Sequence, residues 1–145
     1  MANPVTQSPT FMQALGRGFM KRCPKCGEGK LFGRHLKVVD HCANCGEEYF
    51  HQRADDFPAY LVILIVGHIV VPLAVWVETT YSPSYWVHLA LWLPLTLVMT
   101  LGLLEPIKGA IVAIQWFGGM HGFAPAKEAR EAVAAAAATT TTTQA

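Results

Sequence analysis

The sequence predicts a mainly α-helical membrane protein: a small ribbon of short β-strands, then an antiparallel two-helix transmembrane hairpin and a C-terminal interfacial helix. Three observations carry this. Four cysteines fall in two CxxC pairs, Cys23/Cys26 and Cys42/Cys45. Two 19-residue apolar runs, 59–77 and 86–104, lie beyond them. Charge is sparse and uneven: 52% of residues are hydrophobic and 14% charged, and from Pro58 to Leu104 the one acid is Glu78, with no Lys or Arg. That is too apolar for an ordinary soluble domain of 145 residues.

Residues 1–20 form a polar, Pro-containing lead in which disorder is expected first; Phe11, Leu15 and Phe19 at roughly helical spacing then offer at most a short helix near the membrane or the ribbon. The region has no charged start, apolar run and small-residue cleavage site, so the chain is expected to stay intact and insert through its first apolar helix.

The ribbon, 21–53, is an internal repeat, Cys-Pro-Lys-Cys-Gly-Glu at 23–28 answered by Cys-Ala-Asn-Cys-Gly-Glu at 42–47. Leu31, Phe32, Leu36, Val38 and Val39 can supply two short strands and Tyr49-Phe50 a third. Fifteen residues separate the pairs, at the lower edge of ribbon-type zinc spacing. Each two-residue gap brings two sulfurs to one side of a tight turn, and Gly27 and Gly46 relieve the backbone there. The reading is therefore structural Zn²⁺ on Cys23, Cys26, Cys42 and Cys45, with all four positions used. Rubredoxin-type iron on the same sulfurs is the alternative, and redox disulfides are disfavoured in a cytoplasmic head.

The hairpin, 54–105, contains the two runs, each spanning about 28 Å at 1.5 Å per residue. A short segment with a Ser-Pro turn signal joins them, and Trp76, Tyr81, Tyr85 and Trp86 suit an interfacial aromatic belt there. The first 58 residues hold eight Lys/Arg, the loop none and the tail three, which puts both termini in the cytoplasm.

Four polar features in the hairpin and just beyond it are candidate sites. Asp55 and Asp56 stand at the membrane interface, where Asp56 can cap the first span and Pro58 fits its first turn; a second metal or proton collection is the sharper alternative. His68 sits about 13 Å into the first span, and Pro72 frees its carbonyl and predicts a kink; a neutral His68 hydrogen-bonded within the bundle is the plainer reading, a candidate intramembrane polar site the sharper one. His88 lies about 10 Å from His68 along the membrane normal, too far for a shared metal ion, but within reach of Glu78. Lys108 is expected to meet lipid phosphate, or to answer Asp55 or Asp56 across the hairpin.

The segment Glu105-Pro-Ile-Lys-Gly is expected to break the second span, with 106–123 resuming as an interfacial amphipathic helix or a re-entrant piece. Residues 124–145, rich in Ala and Thr, are expected to be a disordered tail.

Near-balanced charge, net +1, disfavours a nucleic-acid partner. No phosphate loop, nucleophile elbow or His-Glu-x-x-His helix occurs, and an independent enzyme is not expected.

The stretch Arg22 to Phe32, the second knuckle, Ala54 to Tyr60, Gly67-His68, Trp86-Val-His88 and Pro106 to Gly109 together resemble the bacterial Domain of Unknown Function 983 family. The likeness implies a multi-pass protein of the bacterial inner membrane with cytoplasmic cysteine knuckles. Family members are often encoded near terminal-oxidase subunits, which implies a haem-copper oxidase, or another large membrane complex, as partner. The expected function is accordingly an accessory or assembly protein of such a complex, in contact with lipid, with self-association as the other expected contact. The alternatives are redox or metal handling by the head, and a small transporter or proton-conducting oligomer built on His68.

Overall fold

The computed structural model describes residues 8–34 and 36–143. It is mainly helical, with one two-stranded sheet: α1 Phe11–Phe19, β1 Phe32–Arg34, β2 Lys37–Val38, α2 Phe57–Tyr81, α3 Tyr85–Gly118 and α4 Ala124–Thr143. Helices α2 and α3 are each long and apolar enough to cross a membrane.

The expected N-terminal helix forms with a start that composition did not reveal. The Thr10 hydroxyl accepts from the Gln13 amide, and the Gln13 side chain accepts from the Thr10 amide, a reciprocal cap on two otherwise orphan donors. Ala14 and Gly18 are buried on the face that meets α3. A Cβ on Gly18 would overlap the carbonyl of Gly109, and one on Gly109 would overlap the carbonyl of Gly18. The helices cross at backbone contact, which only glycine permits.

In the head, β1 and β2 pair antiparallel with Phe32 opposite Val38. The anticipated third strand at Tyr49-Phe50 is not formed. Instead a single bridge joins His41 to Glu48, and Tyr49 is buried in the core. A head this small satisfies its backbone mainly through turns, such as Cys23 N–H to Gly29 O and Cys42 N–H to Glu47 O, each at 2.8 Å.

Three residues, Ser82 to Ser84, connect α2 and α3, which fold back on each other. The far end of the pair is fastened by Gln115, whose amide group exchanges two 3.0 Å bonds with the backbone of Arg53. Asp56 is the N-cap residue of α2, with Pro58 in the first turn, but its side chain makes no capping bond.

Two expectations for the C-terminal region need correction. No break occurs at Pro106: α3 runs unbroken through Pro94 and Pro106 to Gly118. Residues 106–123 are accordingly not a separate interfacial helix. The cost of Pro106, one lost donor and a crowded Gly102 carbonyl, is offset by burial of the next three turns. Ile107, Ile111, Val112 and Trp116 are buried in the same core as Leu31, Val38 and Tyr49 of the head. The helix ends at Gly119, whose φ of 70° turns its N–H back to Gln115 and Trp116.

The expected disordered tail contains α4. Arg130 anchors it, donating to the Phe117 carbonyl at 2.7 Å with its guanidinium 4.0 Å from the Phe117 ring centroid. Alanine's high intrinsic helix propensity then propagates the helix. Residues 1–7 of the lead, with 144 and 145 of the tail, lie outside the described residues.

Candidate metal centre

Each CxxC turn closes in the same way: Gly27 N–H reaches Cys23 O at 2.8 Å and Gly46 N–H reaches Cys42 O at 2.9 Å. Both glycines take positive φ, 77° and 71°, a conformation costly to any residue with a Cβ. The knuckles are then clasped crosswise. Lys25 of the first pairs with Glu47 of the second at 2.8 Å, and Asn44 of the second donates to Glu28 of the first at 3.0 Å. Third and sixth positions of each repeat thus recognise each other, which gives the internal repeat a structural reason.

The result is four sulfurs all within 4.8 Å of one another. Cys23 and Cys45 lie 3.6 Å apart and Cys26 and Cys42 3.8 Å, and all four cysteines are free of disulfides. A tetrahedral ion with metal–sulfur bonds of about 2.3 Å requires sulfur separations of about 3.8 Å. The donor set therefore fits a four-coordinate ion with a preference for soft sulfur ligands. Amide N–H groups of Cys26 and Gly29 point at the Cys23 and Cys26 sulfurs at 3.5 Å, the direction that stabilises thiolates.

Burial separates the ligands. Cys23 and Cys42 are buried and Cys26 and Cys45 half-buried. Without a metal, burial pushes the Cys23 thiol well above its usual range and Cys45 up to about 11. Burial acts the same way on Cys26, but hydrogen bonds from the Gly29 amide, the Asn44 side chain and the Glu28 amide together bring it down to about 6. Metal binding must therefore displace protons from Cys23 and Cys45.

Residues outside the cysteine pattern complete the centre. The Tyr49 hydroxyl lies 2.9 Å from the Cys23 sulfur, and burial together with the nearby thiols keeps it a neutral phenol. Glu47 holds Lys25 with one oxygen and accepts the Trp116 indole N–H with the other at 2.8 Å, tying the centre to α3. Arg17 of α1 donates to the carbonyls of Pro24 and Lys25. Tyr49, Glu47 and Trp116 do not stand out as site residues in the sequence, because their partners lie 22–69 positions away. The repeated Cys-Gly-Glu is the available signal for Glu47.

The hairpin sites remain apart from this centre. Nε2 of His88 lies 2.8 Å from Glu78, and Trp92 donates its indole N–H to His88 Nδ1 at 2.9 Å. An indole only donates, so Nδ1 is an acceptor and Nε2–H donates to the carboxylate. His68 is exposed on α2, its Nδ1 2.8 Å from the Leu64 carbonyl one turn back. Among the described residues no hydrogen bond joins His68 to His88. Neither does an ion pair join Lys108 to Asp55 or Asp56, contrary to the sharper expectation. Near this corner an acid-base link joins Lys21 to Glu105 at 3.2 Å.

Fold and site define a class: a four-cysteine, metal-binding-capable head built onto a hairpin of two apolar helices of membrane-spanning length. A family model described as "Protein of unknown function (DUF983)" matches residues 32–116, more than half of the chain, and the chain belongs to that family. The match includes the second knuckle and both apolar helices up to Trp116, whereas α1 and the first knuckle precede it. No curated protein and no solved structure matches the chain.

Proposed function

We propose that the chain is a non-enzymatic accessory or assembly protein of a bacterial inner-membrane complex, with a structural zinc ribbon as its cytoplasmic interaction head. One observation carries this reading: α3 is a single helix whose first part is exposed and apolar and whose last part is buried beneath the four-cysteine head. Trp86, Leu93, Leu97, Val98 and Leu101 lie open, while Ile107, Ile111, Val112 and Trp116 are core. Exposed apolar surface on this scale belongs in lipid or against other helices. A rigid link from such a surface to a fastened head suits a part that couples a membrane subunit to a cytoplasmic one.

Zinc suits the site because four thiolates close the coordination sphere and leave no position for a substrate. The excess of Lys and Arg before α2 supports cytoplasmic termini, with the Glu78–His88 end facing outward. The partner is a larger membrane complex, for which the family resemblance nominates a terminal oxidase. Mild-detergent purification from native membranes tests this: the expected result is a stoichiometric larger subunit, and recovery of the chain alone would overturn the reading. Metal analysis and an absorption spectrum of the same sample separate zinc from iron, since the ferric form is coloured and zinc is not.

A further inference from the structure

We infer that Lys37 and Lys108 form a binding site for the phosphate of an anionic phospholipid, at the junction of head and hairpin. The lysines are 71 positions apart in sequence, one on β2 and one on α3, yet they line the same open cavity of about 400 Å³. Among the described residues neither side chain has an ion-pair or hydrogen-bond partner, whereas the side chains of Lys21 and Lys25 are both paired.

The cavity has the lining that a headgroup at an interface needs. Gln52 adds a neutral hydrogen-bonding group, and Leu36 and Phe50 form apolar walls, with Phe50 66% exposed. Asp40 is the one acid in the lining, so the two lysines leave a net positive site. Leu36 takes a φ of 61°, a strained left-handed conformation for leucine, in the turn that leads into Lys37.

Depth agrees with a lipid source. The uncharged run of α3 ends at Leu104, and Lys108 lies one helical turn, about 6 Å, beyond it. A lysine at that level reaches headgroup phosphate. This inference rests on membrane insertion of the hairpin, which belongs to the proposed function.

The test places the full chain in nanodiscs of neutral phosphatidylcholine or of phosphatidylcholine with about one-fifth phosphatidylglycerol, and counts retained lipids by native mass spectrometry. Phosphatidylglycerol should be retained in preference. Lys37→Gln and Lys108→Gln should each lower that preference about five-fold, while Lys127→Gln on α4 should not. Circular dichroism checks that the variants keep their helix content. Unchanged preference in the double variant K37Q/K108Q overturns the inference. So does saturation of the site by inorganic phosphate in neutral nanodiscs with no lipid preference, which would indicate a free-anion site. Quenching of tryptophan fluorescence by brominated acyl chains reports insertion independently, so failure to insert is distinguishable from failure to select lipid.

Discussion

At the scale of single residues, the four-cysteine centre is specified by side chains that the CxxC spacing does not mention. Tyr49 and Glu47 touch a ligand or its neighbours directly, and metal sites are commonly tuned by such partners. Tyr49→Phe should keep the fold and weaken metal retention about ten-fold or more, measured as the rate of metal transfer to a chromophoric chelator. An unchanged rate would mean that Tyr49 only fills space. Cys42→Ser removes a buried ligand and should abolish stoichiometric metal in purified protein. The cysteines are legible in the sequence because metal-site spacing is local. Tyr49 reads there only as a strand residue, since its role depends on a sulfur 26 positions earlier.

At the scale of elements, the decisive contact is the crossing of α1 and α3 at Gly18 and Gly109. A methyl group on Gly109 must push backbone apart, and overpacking of this kind costs about 1–3 kcal/mol. Gly109→Ala should therefore lower the midpoint of detergent-solubilised unfolding. Gly67→Ala meets nothing within 4 Å and should be neutral or slightly stabilising. Equal behaviour of the two variants would refute the close crossing. Local chemistry misleads in a related way at the prolines. Pro106 reads as a helix stop because the sequence displays the lost hydrogen bond but not the core that Ile107, Ile111 and Trp116 enter beyond it. Similarly, 106–123 read as interfacial because one apolar stripe beside polar residues looks the same whether lipid or protein covers it.

At the scale of the whole molecule, one helix joins an exposed apolar part to a part buried against the head. In metal-loaded protein in detergent, chelation should open the head while α2 and the first part of α3 persist, since their backbone bonds are internal to each helix. Hydrogen exchange followed by peptide mass spectrometry should find amides of 23–49 deprotected and those of 60–100 unchanged. Uniform loss of protection would show that the head holds the hairpin together. By itself the sequence determined the features that repeat or run locally: the two knuckles, the short N-terminal helix and the two apolar runs. Ligand spacing and hydropathy are properties of neighbouring residues, so they can be read along the chain. Only the tertiary structure decided that α3 continues into the head, that α1 crosses it at glycine, and that Lys37 and Lys108 line one cavity. Each of these depends on burial or approach between residues distant in sequence, and the free energy of such contacts is absent from any local window.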